Sequence, residues 1–154
     1  KQNKKLYRFI LRIRDKAGLK IISPENGIRK VIHALSKNWL VAILIDQRAK
    51  RSRAVWVEFF GKKAPTMPGL AVMAIKSGAP VVPAFMIRNG FQKHRLVVKK
   101  PVELVLTGDM DKDVEINMQR FTRVLESMIR EYPDQWVWIH RRWERGKEGH
   151  RKRH

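Results

Sequence analysis

The chain has 154 residues, 44% of them hydrophobic, a length that suits one domain able to bury most of its apolar surface. It has no cysteine, which excludes a disulfide framework, thiolate chemistry and a zinc finger. Thirty-four Lys and Arg against fourteen Asp and Glu leave a net charge of +20, and that excess calls for an anionic partner: nucleic acid, an anionic membrane surface, or a phosphorylated or acidic ligand.

Leu6, Ile10, Ile13 and Ala17 recur at helical spacing, and Gly18 is placed to end that helix. Arg14 falls at the border of the apolar stripe and is expected not to face bulk solvent. LKII (19–22) reads as a short strand. Ser23-Pro24-Glu25 is a helix start, with Ser as N-cap and Pro in the first turn. Ile28, Val31, Ile32 and Leu35 mark the buried face of that helix. LVAILID (40–46) is a continuous apolar run, the pattern of a strand covered on both faces. It ends in Asp46-Gln47 and is followed by the basic cluster RAKRSR (48–53). VWVEFF (55–60) is a second strand.

Gly61 releases the chain from that strand. Thr66 is placed as the N-cap of a helix, with Pro68 in its first turn. Leu70, Met73, Ala74 and Ser77 share one helical face, and Gly78 ends it. Residues 79–87 form an apolar strand in which Pro83 marks an edge or bulge. HRLVVKKPVELVL (94–106) suggests a hairpin or two short strands turning near Lys99-Lys100-Pro101. Asp109 or Asp111 opens the last long helix. Its inward positions are Val114, Met118, Phe121, Leu125, Met128 and Tyr132, and Pro133 ends it. A Trp-rich basic segment follows, and residues 146–154 form a basic flexible tail. Strands alternate with helices, so the expected class is α/β: a mainly parallel or mixed central sheet flanked by helices, in one domain over residues 1–145. No apolar run approaches the roughly 20 residues that span a bilayer, and no signal-peptide core follows KQNKK. The absence of an initial Met is expected of a fragment or a processed product.

Five stretches coincide with one known family: RDKAG (14–18), the strand ending in Asp46-Gln47, VWVEFFGKKAPTMPG (55–69), SGAPVVPAFMIR (77–88) and YPDQWVWIHRRW (132–143). The chain resembles the C-terminal two-thirds of a bacterial lipid A biosynthesis acyltransferase of the lauroyl/myristoyl type, over residues of about 6 to 145. FFGxxAxTxxG and YPxQWxWxHRR are specific together, in this order. The resemblance implies a glycerolipid-acyltransferase-like fold. It also implies acyl transfer from an acyl carrier protein thioester to a hydroxyl of a lipid A precursor or related glycolipid, with no cofactor and no metal. The family's base is a His in an H-x4-D/E motif, its imidazole oriented by the carboxylate. This sequence has no such motif. HALSKN (33–38) is nearest, with Asn38 where the carboxylate belongs, and His33 reads as an ordinary helix residue. The chain as given is therefore expected to be inactive, either a piece of a longer enzyme or a version that has lost catalysis.

The resemblance also implies site residues. Asp46, beside Gln47, sits at the carboxyl end of a buried strand, where α/β sheets place ligand sites; it orients a base or the acceptor, or it merely pairs with RAKRSR. Gly61, Thr66 and Gly69 form a strand-to-helix turn whose N–H groups suit an anion or oxyanion; the alternative is a capped helix that binds nothing. Arg14, Arg88, Arg141 and Arg142 are the candidates for phosphate contact, because the guanidinium fork matches phosphate geometry. His140 reads as structural and Glu58 as surface. Trp136, Trp138 and Trp143 either form a membrane-interface belt or close the core. The expected partners are acyl carrier protein, a phosphorylated glycolipid and the anionic cytoplasmic face of a bacterial inner membrane, met peripherally. A non-catalytic lipid-binding remnant is a further alternative. A nucleic-acid-binding domain is the rival the charge allows, but no helix-turn-helix, zinc knuckle or RNP-like strand accompanies it.

Overall fold

A computed structural model describes residues 4–22 and 26–143. The chain divides into two units, one up to Leu40 and one from Val41 onward.

In the first unit, α1 (Lys4–Lys16) occupies the expected helical stretch. Gly18, at φ +73°, ends it: the Leu19 N–H reaches Arg14 O at 2.9 Å and the Gly18 N–H reaches Asp15 O at 2.9 Å, the pair of bonds of a left-handed cap. Helix α2 (Gly27–Ser36) ends the same way. Asn38 takes φ +58°, Trp39 N–H bonds Ala34 O at 3.1 Å, and Asn38 N–H bonds Leu35 O at 2.9 Å. Asn38 thus terminates a helix, a place that suits asparagine because it tolerates left-handed backbone. The expected helix start at Ser23–Glu25 lies outside the described residues. The strand expected at 19–22 does not form, and Leu19 and Ile21 are exposed. Leu6, Ile10 and Ile13 of α1 are exposed too: amphipathic spacing shows which face seeks cover, not that cover is supplied.

Among the described residues, the second unit holds two hairpins and two α-helices. Strands β1 (Val55–Phe59) and β2 (Lys62–Thr66) pair antiparallel, Val55 opposite Thr66 and Phe59 opposite Lys62. Their turn is Phe60-Gly61, at φ +52° and +71°, the double left-handed geometry that matches strand twist. Gly61 therefore joins two strands, not a strand and a helix. Phe60 bears a left-handed strain of about 1–2 kcal/mol. It is held there by a 2.9 Å bond from its N–H to Glu126 Oε2 and by Arg130 over its ring at 4.7 Å. Helix α3 (Gly69–Ser77) follows and stops at Gly78, φ +67°. Strands β3 (Ala84–Arg88) and β4 (His94–Val98) form the second antiparallel hairpin. The chain then runs on beside the segment before β3, with Lys99 N–H on Pro83 O and Val102 N–H on Val81 O, each 2.9 Å. No turn forms at Lys99-Lys100-Pro101: residues 94–98 pair backward with β3, so the hairpin expected within 94–106 is replaced by this one.

The mainly parallel or mixed central sheet is likewise not what the described residues build, since both ladders are antiparallel. A parallel pair needs a crossover between its strands, and here the paired strands are joined by hairpin turns. The 40–46 run enters no ladder among the described residues. Its Ile45 packs on the core, while Leu40 and Leu44 are exposed.

Helix α4 (Met110–Glu131) is the spine of this unit. Asp109 caps it, accepting from the N–H groups of Asp111 at 3.0 Å and Lys112 at 3.2 Å. Its Val114, Met118 and Phe121 pack with Val57 and Ala71. One stretch further on, Ile129 meets Phe59 and Ala64, with Leu125, Trp136 and Trp143 around them. Three side-chain amides tie extended backbone down. Gln119 bonds both the N–H and the C=O of Glu58, at 2.7 and 2.9 Å. Asn117 does the same for Val105, at 2.9 and 2.8 Å. Beyond the helix, Gln135 does it for Arg88, at 2.8 and 3.1 Å. Glu58 and Arg88 sit where the ladder alternation turns their polar groups away from the paired strand, so the amides supply the partners that the free edges lack.

Two carboxyls on α4 titrate below their ordinary values. Asp113 is held down by the Thr107 hydroxyl at 2.6 Å and N–H at 2.7 Å. For Glu126, burial acts in the opposite direction, and the Phe60 N–H and Arg130 outweigh it. A lowered folded-state pKa adds stability that is complete above the unfolded-state value of about 4 and is lost as pH falls through the folded value. Urea midpoints are therefore expected to fall between neutral pH and acid, and Thr107→Ala is expected to flatten that fall. An unchanged acid slope in T107A would show that Asp113 gains nothing from the Thr107 hydroxyl.

Candidate functional site

The C-terminal end of β2 brings together three of the expected residues, Asp46, Thr66 and Arg142. Arg142 is fully buried. Its Nη1 donates to Pro65 O at 3.0 Å and its Nη2 to Thr66 Oγ1 at 2.5 Å, while its guanidinium lies 5.2 Å from the Phe59 ring centre. Pro65 O also accepts from Ala49 N–H at 3.0 Å, which fastens the loop after Asp46 to the same strand. Burial pushes the Arg142 pKa below the usual arginine value, and the Asp46 carboxylate opposes that shift. Asp46 Oδ1 and Arg142 Nε are both buried without a hydrogen-bond partner. The chemistry present is thus a carboxylate and a guanidinium in one buried neighbourhood, bridged by a strand end, each keeping one polar atom unspent.

Thr66 is itself fully buried and donates to Ala64 O at 3.3 Å. It does not cap α3: Pro68 occupies that place with no side-chain cap, and Gly69 is the first helical residue. The reason is that β2 runs through Thr66, leaving its hydroxyl inside the hairpin for Arg142. Gly61, at the exposed hairpin turn, belongs to the opposite end of β2 from Thr66 and Gly69. Gln47 is exposed beside Asp46.

A second feature lies between the β3–β4 hairpin and the segment after α4. A cleft of about 420 Å³ is lined by Met86, Arg88, His94, Asp134, Gln135, Trp136 and Val137. Arg88 and His94 are direct cross-strand partners and therefore share a sheet face. Arg14 and Arg141 are exposed; a place beside the apolar stripe of α1 does not shield Arg14 from solvent, because Leu6, Ile10 and Ile13 of that stripe are themselves exposed, and Arg14 gives its backbone to the α1 cap. His33 is exposed on α2, its carbonyl accepting from Ser36 Oγ at 2.9 Å. His140 is exposed and makes backbone turn bonds. Glu58 is exposed, with its backbone bound by Gln119.

Sequence reasoning passed over the residues that hold these features: Gln119, Glu126, Asn117 and Gln135. An amide or a carboxylate on a helix face reads as solvated surface. The one available signal was Gln135, inside the YPxQWxWxHRR stretch, whose glutamine faces a strand edge in the structure.

The sequence profile of a family described as bacterial lipid A biosynthesis acyltransferase matches residues 1–145. The chain is similar to a lipid A biosynthesis acyltransferase of Haemophilus influenzae, 29% identical over 126 residues, covering 82% of this chain and 38% of that protein. It is similar to the lipid A biosynthesis palmitoleoyltransferase of Escherichia coli, 27% identical over 80% of this chain and 39% of that protein. The lipid A biosynthesis lauroyltransferase of the same organism is 29% identical over 84% of this chain and 42% of its own length. The matches thus span about two fifths of these relatives, less than the two-thirds expected from the motifs.

Proposed function

The chain belongs to the bacterial lipid A biosynthesis acyltransferase family, and from that premise we propose that it is part of a longer enzyme. That enzyme moves an acyl group from an acyl carrier protein thioester to a hydroxyl of a lipid A precursor or related glycolipid. The acceptor oxygen attacks the thioester carbonyl, the thiolate leaves with the proton, and an ester and a thiol result. The sequence lacks H-x4-D/E, so we assign proton abstraction to a part of the enzyme outside these residues. The acceptor wall is assigned here, with Asp46 as the residue that orients the hydroxyl or its base. One observation carries this: a buried carboxylate oxygen without a partner, placed by Ala49 and Arg142 against the strand end that leads into Gly69 and the uncapped first turn of α3.

Gln47, Gly61, Thr66 and Gly69 are proposed to frame that wall. Arg88, with His94 beside it in the cleft, and exposed Arg14 and Arg141 are proposed to meet phosphates. Arg142, its terminal nitrogens already engaged, is proposed to position the wall and not to touch substrate. The apolar run 40–46, with Leu40, Ala42 and Leu44 exposed, fits a strand of a parallel or mixed sheet completed by the longer polypeptide. The net charge of +20 suits an anionic membrane face, acidic carrier docking and lipid phosphates; the enzyme is placed peripherally, through this segment, at the cytoplasmic face of the inner membrane. No described helix is long and apolar enough to cross a membrane.

Mixed with acyl carrier protein thioester and a lipid A precursor, the chain alone is expected to give no product by mass spectrometry. In the longer enzyme, Asp46→Asn is expected to lower kcat by about 10²-fold, the low end of what a general base and its orienting group contribute. Turnover by the chain alone, abolished by His33→Ala, would overturn the assignment of the base.

A further inference from the structure

The structure separates the three tail tryptophans. Trp136 is half-buried, 5.9 Å from the Phe59 ring centre. Trp143 stacks on the same ring at 5.5 Å and donates its Nε1–H to Phe59 O at 3.0 Å. Both belong to the core. Between them the chain turns outward, and Val137 is 62% exposed, Trp138 50% and Ile139 93%.

This loop is not loose. Its feet are Trp136 on one side and the buried Arg142 and Trp143 on the other. Its turn is closed by Trp138 N–H on Trp136 O at 3.0 Å, His140 N–H on Val137 O at 3.0 Å and Arg142 N–H on His140 O at 2.8 Å. The indole of Trp138 is aimed by a 2.7 Å bond to Pro133 O. Three consecutive apolar side chains are thus displayed on a braced support, where a loop facing only water gains nothing from them. Basic side chains flank them. His140 and Arg141 follow at once and are exposed, and Val137 lines the cleft that holds Arg88 and His94, with the carboxylate of Asp134 in the same cleft. An apolar tip with a Trp, collared by basic groups on a chain of charge +20, matches the layered chemistry of a bilayer surface: acyl boundary below, phosphates above. An acidic protein surface or a nucleic-acid backbone would satisfy the collar and leave the tip in water.

We propose that Val137-Trp138-Ile139 is a membrane-insertion tip that seats the protein on an anionic phospholipid surface, with Arg141 at the phosphate level. The proposal rests on the lipid reading given above, and it predicts which side chains enter the bilayer.

The test is flotation of the full chain with vesicles of phosphatidylcholine and phosphatidylglycerol, and of phosphatidylcholine alone. The wild type is expected to float with the mixed vesicles, with a blue shift of tryptophan emission that Trp138→Phe removes. The double variant Val137→Ser/Ile139→Ser is expected to bind them about tenfold more weakly, the scale of two partly inserted apolar side chains. Its thermal unfolding should be unchanged, because both side chains are exposed. Leu106→Ser is the control. Leu106 is as exposed as Val137 but precedes α4, whose 22 residues put about 33 Å between its ends; its binding should match wild type. Equal binding by the double variant and the wild type would overturn the tip and leave a charge-only lipid attachment standing. No flotation of the wild type would overturn the tip and the membrane part of the reading, while product formation by the longer enzyme still decides acyl transfer. A double variant that loses duplex-DNA binding and keeps flotation would assign the tip to nucleic acid and overturn the proposal.

Discussion

Arg142→Met is expected to lower the urea-unfolding free energy of the chain by about 3 kcal/mol, the scale of losing two buried hydrogen bonds from a charged donor. Met keeps most of the volume and none of the donors. Loss of the guanidinium leaves Pro65 O with Ala49 as donor and leaves Thr66 Oγ1 without its donor, and it removes a buried positive charge that interacts with Asp46. Each polar group left unpaired in a buried place costs about 1–3 kcal/mol. Asp46→Asn in the wild-type background is expected to be milder, because Arg142 keeps both of its bonds. Combined with Arg142→Met it should add less than it costs alone, since the carboxylate has already lost its counter-charge. A change in R142M below about 0.5 kcal/mol, the range of ordinary surface substitutions, would show that the guanidinium is not part of the core.

Phe59→Ala is expected to be at least as damaging, at about 4 kcal/mol, within the range for deleting a buried Phe. Phe59 is fully buried. Its ring meets Phe60 edge-on at 4.8 Å, Trp143 in a stack at 5.5 Å and Trp136 at 5.9 Å, contacts worth about 0.5–1.5 kcal/mol apiece beyond area burial. Urea titration read by tryptophan emission measures the loss and its cause together. The midpoint should fall and the folded-state emission should shift to the red as water reaches Trp136 and Trp143. Phe59→Leu should retain more than half of the stability lost in the alanine variant. A loss in F59A below about 1.5 kcal/mol with unshifted emission would mean that the surrounding rings collapse to fill the space, and the core would then be less rigid than its ring geometry indicates.

Helix ends were the most legible part of the fold, because their signals are local. Gly18, Gly78, Asp109 and Pro133 mark boundaries by backbone freedom, a side-chain acceptor or a missing N–H, and the structure uses all four. The inward positions of α4 were legible for a related reason, since a long amphipathic period fixes a face. Strand β2 was not: KKAPT contains Pro65 and two lysines, a composition that argues against a strand, and it exists because it pairs with β1 and buries Ala64, Pro65 and Thr66. The turn before it was hidden by Phe60, a residue type that local preference excludes from left-handed backbone and that a distant glutamate holds there. Within the candidate site, Asp46, Thr66 and Arg142 were legible as residues but not as a cluster. Nothing in HRRW distinguishes the exposed Arg141 from the buried Arg142, because that difference is set by contacts with residues more than seventy positions earlier.

Gln119 and Gln135 each behave as a single rung of a strand that the described residues do not otherwise provide. A carboxamide can do this because it offers one donor and one acceptor at the spacing of a peptide group; glutamate offers only acceptors, lysine only donors. The hairpins are therefore finished on a flank where sheets commonly grow by recruiting a neighbour's backbone, and an intruding strand would first have to break two bonds at Glu58 or at Arg88. Chemical ageing acts on this device selectively. Hydrolysis of either amide to the acid keeps the polypeptide intact and the side chain nearly the same size, yet it turns the donor half of the rung into a negative charge facing a carbonyl. The flank then loses the donor that meets the carbonyl of Glu58 or Arg88, and with it half of what keeps a neighbouring strand out.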